Sequence, residues 1–121
     1  MFEYAHIVSK RVDCSEVNLQ DFKAELFKAL ANPVRVRILE VLRAEGSLTV
    51  GEIQVRVGIE PANASQHLAI LRAQGIVEAR REGTNAWYHV AAPEVFDMLD
   101  SGRAMFERRL AAQSELLEAE V

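Results

Sequence analysis

Asn63, Ser65 and Gln66, set in the run Pro61-Ala62-Asn63-Ala64-Ser65-Gln66-His67-Leu68, are the residues of this chain whose types and spacing suggest a definite chemistry. Asn and Gln side chains can hydrogen-bond adenine through two bonds at once, and a short helix rich in Ala and Ser lets its backbone sit close to base edges in a major groove. A solvated helix face uses the same residue types, so the reading depends on the elements that position them.

Those elements begin at Thr49. Thr49 and Glu52 have the spacing of a capping box, which predicts a helix from there to about Val57. Gly58 supplies the left-handed conformation that stops it. Pro61 suits the first position of the next helix, although Glu60 is a poor N-cap before it. On that second helix Ala64, Leu68 and Leu71 share one face, while Asn63, Gln66 and Ala69 point away from it. His67 lies at the border, placed either as a partly buried imidazole or as a contact for the same ligand.

Gly75 closes this helix, and alternation through Val77 and Ala79, a turn at Glu82-Gly83-Thr84-Asn85 and an aromatic run to Val90 predict a two-stranded hairpin. A hairpin carrying Arg80, Arg81 and Asn85 beside a helix-turn-helix has the layout of a wing. Its arginines suit phosphate or the minor groove, contacts that position a protein without specifying sequence. Pairing of the same arginines with Glu78 and Glu82 is the competing use. Arg72, in the last turn of the second helix, is a further candidate for the nucleic-acid backbone.

Upstream, the sequence predicts an N-terminal tail through Val17 and a helix from about Leu19 to Ala31 with Phe22, Leu26 and Leu30 on one stripe. Asn32 as N-cap and Pro33 at the first helical position restart a helix that runs to about Arg43 or Ala44, with Val34, Ile38 and Val41 facing inward. Arg35 and Arg37 flank that stripe and are expected to pair with an acidic neighbour or to approach a DNA backbone. Gly46-Ser47-Leu48 is a connector with room for a short strand joining the hairpin. From about Pro93 to Glu118 a long helix carries Val95, Leu99, Gly102, Phe106, Leu110, Gln113 and Leu117 on a single stripe. Beyond Phe106 that stripe outreaches a small core and calls for a partner.

The runs Phe27-Lys28-Ala29-Leu30-Ala31-Asn32-Pro33-Val34-Arg35-Val36-Arg37-Ile38-Leu39, Val50-Gly51-Glu52-Ile53, Ser65-Gln66-His67-Leu68, Leu71-Arg72, Gly75-Ile76-Val77 and Arg81-Glu82-Gly83 resemble, in family order, the ArsR/SmtB bacterial winged-helix repressors. The resemblance covers roughly residues 19 to 100. It implies a mainly α fold with a small β-hairpin wing, and three parts: a tail at 1–17, a winged helix-turn-helix DNA-binding core at 18–92 and a dimerisation helix at 93–121. It implies a homodimer on a palindromic operator, with Phe22, Leu26, Leu99, Phe106, Leu110, Gln113 and Leu117 at the dimer interface. Two recognition helices would then lie about one DNA turn apart, roughly 34–36 Å. DNA contacts would come from Asn63, Ser65, Gln66, His67, Arg72, Arg80, Arg81 and Asn85.

The family's usual release signal is a metal, and the ligands for it are missing. Where the arsenic- and cadmium-type pattern has two cysteines after the Glu that opens the turn helix, this chain has Gln54 and Arg56. The zinc-type pattern on the final helix keeps Asp97 alone, followed by Leu99, Leu110 and Gln113. Transition-metal sites need three or four converging N, O or S ligands, so no metal and no cofactor is expected. An organic effector in the dimer cleft or a partner protein takes the metal's place. Cys14, the single cysteine, with His6 eight residues before it, is the remaining candidate for a thiol-based or metal signal.

With 50% hydrophobic and 26% charged residues in 121, the chain is one globular domain. No apolar run reaches membrane-spanning length, no secretory pattern opens the chain, and one cysteine fits a reducing compartment, so a cytoplasmic protein is expected. The net charge of −4 divides into −2 over residues 1–27, +2 over 28–93 and −4 over 94–121. The mildly basic middle holds the proposed reading head, and so weak an excess predicts binding that falls quickly with salt. There is no glycine-rich phosphate loop, no paired acid and base and no nucleophile motif, which argues against an enzyme. The competing class is a winged-helix protein-interaction module without DNA reading.

Overall fold

The computed structural model describes residues 15–119. The elements run α1 (Ser15–Leu30), α2 (Pro33–Glu45), β1 (Leu48–Thr49), α3 (Val50–Val57), α4 (Pro61–Ala73), β2 (Val77–Glu82), β3 (Asn85–Val90) and α5 (Glu94–Ala119). α1 is helical from Ser15, earlier than the start at about Leu19 that the sequence predicts, and the residues before Ser15 lie outside those described. No Pro or Gly interrupts Ser15 to Leu30. Cys14 and His6 lie outside the described residues.

Local chemistry sets the helix starts. Asn32 Oδ1 accepts from the backbone N–H of Val34 at 2.8 Å and of Arg35 at 3.3 Å, with Pro33 in the first turn. The capping box forms in full: Thr49 Oγ1 accepts from Glu52 N–H, and Glu52 Oε1 accepts from Thr49 N–H. Gly58 ends α3 at φ 78 and ψ 47, a left-handed conformation that a Cβ would disfavour.

The core gathers one face from each helix onto the sheet. Ile38, Leu39 and Leu42 of α2 meet Ile53 of α3, Leu68 and Leu71 of α4, Leu48, Ile76 and Val77 at the sheet, and Val95 of α5. Ala64, Leu68 and Leu71 are all fully buried, as their spacing on α4 predicts.

The sheet has three antiparallel strands in the order β1-β3-β2. The connector does contribute its short strand, with Leu48 opposite Tyr88 and Thr49 opposite Trp87. Across the hairpin Val77 faces Val90, Arg80 faces Trp87 and Glu82 faces Asn85, which leaves Gly83 and Thr84 as the loop. Gly83 has φ +62 and Thr84 does not have positive φ, the pattern of a type II′ turn.

Candidate nucleic-acid interface

α4 offers an open outer face on a fixed inner one. Asn63, Ser65, Gln66, Ala69 and Arg72 are exposed on the helix whose other side is buried through Ala64, Leu68 and Leu71. The small side chains of Ala62 and Ala69 leave the backbone approachable beside Gln66. Glu60 makes no side-chain cap, so among the described residues no side-chain acceptor is seen for the N–H groups of the first turn of α4. These donors and the Asn63 and Gln66 amides lie in the N-terminal half of α4.

His67 belongs to a different environment. It is half-buried, and its Nδ1 lies 3.0 Å from Arg35 Nη1 of α2. A guanidinium only donates, so Nδ1 accepts and the ring proton sits on Nε2. Burial, and secondarily the Arg35 charge, hold the His67 pKa below its ordinary value of 6.5, keeping the ring neutral.

Among the described residues Arg35 does not pair with the acidic neighbour expected of it. Its Nε donates to Ala29 O at 2.6 Å and its Nη2 to Lys28 O at 3.3 Å, both in the last turn of α1. The carbonyls that end a helix carry partial negative charge and lack intrahelical partners, which makes them competitive with a carboxylate for a guanidinium. Arg37 is exposed. No local spacing connects Arg35 to His67, 32 residues on, so this junction was not legible from sequence.

On the wing Arg80, Arg81 and Asn85 are exposed, and among the described residues neither arginine enters an ion pair. Glu78 pairs instead with His89, Nε2 to Oε1 at 3.4 Å. Adjacent strand residues point to opposite faces, so Arg81 shares the face of buried Val77 while Arg80 takes the other.

The proposed dimer residues fall into two groups. Leu26 and Leu99 are half-buried against the chain's own core, and Phe22 is half-buried as well. Phe106, Leu110 and Leu117 are exposed at 61%, 48% and 66%, and Gln113 is exposed as well. The base of α5 is tied to α2 by Arg43, which grips Asp100 with two hydrogen bonds of 2.8 and 3.0 Å and lies 4.7 Å from the centre of the Phe96 ring. Spacing arguments missed this clamp, since its two residues are on separate helices.

The positions that carry metal ligands in the usual family patterns do not fit a metal here. Gln54 and Arg56 supply no thiolate, and Leu99 and Leu110 supply no donor at all. Among the described residues no three His, Cys, Asp or Glu side chains converge, and no helix is long and apolar enough to cross a membrane.

Comparison with known proteins places this geometry in context. Residues 30–80 match a family model described as a helix-turn-helix domain. An uncharacterised HTH-type transcriptional regulator of Mycobacterium tuberculosis, Rv0081, is 44% identical over 101 residues, which cover 83% of this chain and 88% of the relative. Its crystal structure superimposes with a TM-score of 0.69 over 78% of this chain and 95% of that one. The solution structure of Mb0332 from Mycobacterium bovis, described as a homodimeric winged helix-turn-helix DNA-binding domain of a possible ArsR-family regulator, gives a TM-score of 0.71 at 35% identity. That match covers 84% of this chain and 92% of the other. The biofilm growth-associated repressor of Agrobacterium fabrum is 31% identical over 105 residues, covering 82% of this chain and 89% of the relative.

Proposed function

This chain belongs to the ArsR/SmtB family of winged helix-turn-helix transcriptional regulators, and from that premise we propose that it is a homodimeric repressor reading a palindromic operator through α4. The observation that carries the reading is the outer face of α4, where Asn63, Ser65 and Gln66 stand exposed over a fully buried inner face.

Asn63 and Gln66 make the base contacts, Ser65 a phosphate or base-edge contact, and Arg72, Arg80, Arg81 and Asn85 contacts to the backbone or minor groove. On this reading residues 18–92 make up the DNA-binding core, and the dimerisation segment from residue 93 onward is built on α5. Phe106, Leu110, Gln113 and Leu117 pair with their symmetry mates, and Phe22, Leu26 and Leu99 join that interface from the core side. The repressor sense is supported by the name of the Agrobacterium fabrum relative, a repressor. The signal is an organic molecule or a partner protein rather than a metal at the family's usual positions, for which Gln54, Arg56, Leu99, Leu110 and Gln113 carry no suitable set of ligands.

The test is selection of duplexes from a random pool, followed by titration of the selected duplex against random DNA. Gln66→Ala is expected to cost about 1–3 kcal/mol on the selected duplex and almost nothing on random DNA. Equal losses on both would remove Gln66 from the reading set, and failure to select any duplex would favour a winged-helix protein-interaction module.

A further inference from the structure

The Arg35 guanidinium joins three helices at one point. It is carried by the first turn of α2, it donates to Lys28 O and Ala29 O at the end of α1, and it donates to His67 Nδ1 on α4. The backbone beneath it is held by Asn32, whose Oδ1 accepts from Arg35 N–H. Ala29 itself is buried, so the end of α1 is anchored where the guanidinium reaches it.

His67 is the only side chain of α4 for which a polar bond to another helix is observed among the described residues. It directly follows Gln66 and lies four residues beyond Asn63, one helical turn away on a neighbouring track. A rotation of α4 about its axis that kept the Arg35 bond would be small. Among the described residues, loss of the bond leaves apolar contacts through Ala64, Leu68 and Leu71 as the side-chain contacts that set the angle, and such contacts are less directional than a hydrogen bond.

We infer that Arg35 and His67 are positioning residues for DNA reading: the guanidinium fastens α4 to the end of α1, fixing the angle at which Asn63 and Gln66 are presented and carrying displacements of α1 to that face. The inference rests on the proposed reading of DNA by α4. It assigns His67 an indirect part, with its ring turned to protein rather than to bases. It also gives α1 a route to the reading head that bypasses α5 and the wing.

The test is a mutant cycle read on the duplex that the wild-type protein selects from a random pool, with random DNA as the reference. His67→Ala is expected to lower the preference for the selected duplex about tenfold, within the range of coupling through packed networks. The salt dependence should stay unchanged, because no phosphate contact is lost. His67→Asn, whose Oδ1 stands close to the place of Nδ1, should recover most of the preference. In an Arg35→Ala background His67→Ala should cost nothing further, since the bond is already gone.

Thermal unfolding is followed for each variant. If Arg35→Ala does not fold, the His67→Ala and His67→Asn pair decides alone. Full additivity of the two losses, or equal losses for His67→Ala and His67→Asn, would overturn the inference and make His67 a direct DNA contact or a packing residue. Wild-type binding by His67→Ala or Arg35→Ala would overturn it too. Failure of the wild-type protein to select any duplex would remove the DNA reading itself, and this inference with it.

Discussion

α4 and the outer half of α5 are both amphipathic helices, yet one is finished by its own chain and the other is not. α4 buries Ala64, Leu68 and Leu71 completely and leaves polar residues outside. From Ser101 to Ala119 every residue of α5 is exposed, including Met105, Phe106, Leu110, Leu116 and Leu117. Isolated exposed apolar residues are ordinary on a protein surface, but a row of them along one helix marks a surface built to be covered. The same periodicity therefore means self-packing in the one case and a partner in the other. What separates the two is reach: α4 lies across the core, while α5 leaves it after Val95 and Leu99.

That contrast is broken most forcefully from the core side. Leu39 is fully buried in the shared core cluster. Leu39→Ala removes packing that cannot be replaced from solvent and is expected to cost about 2–5 kcal/mol in urea unfolding. A loss below about 1 kcal/mol would mean that the core is not the self-sufficient unit described above.

On the other side of the contrast, Phe106→Glu should leave the core intact while weakening association. Placing a carboxylate in a buried helix pair is expected to raise the dimer dissociation constant about a hundredfold or more, in the range of interface hot spots. Sedimentation velocity reads the association, and the near-ultraviolet signal of Trp87 and Tyr88 reports the core. An unchanged dimer would move the interface off the Phe106, Leu110 and Leu117 stripe.

Sequence patterns revealed the parts whose physics is local. Asn32, the Thr49 and Glu52 box, Gly58 and Gly83 each act within a few residues, and each stands where its type and spacing predict. The buried face of α4 was legible for the same reason, because helical periodicity is enough to find it. The junctions between elements were not. Arg35 was expected at an acidic side chain and instead binds helix-end carbonyls and a histidine 32 residues away. Arg43 reaches Asp100 over 57 residues, and Glu78 takes His89 rather than an arginine. Side-chain partners across separate helices depend on how those helices pack, which no spacing rule encodes.

The smallest effect lies at the seam between the buried face and the reading face, and it is a dependence on pH. His67 has its pKa lowered from 6.5 by burial first and by Arg35 second, so the folded state resists the proton that the unfolded chain accepts. Stability is then undiminished above the unfolded value of 6.5 and falls as pH drops below it. The fall levels off once the depressed folded value is passed, because both states are then protonated. Asp100 works in another window: its pKa is lowered from 3.8 by the bond from Arg43, so its contribution is present above that value and is lost only in stronger acid. Unfolding midpoints compared between pH 7.5 and pH 5 should therefore decline more in the wild-type protein than in His67→Asn. Parallel declines would show that protonation of His67 does not oppose folding, and would place the acid sensitivity elsewhere in the chain.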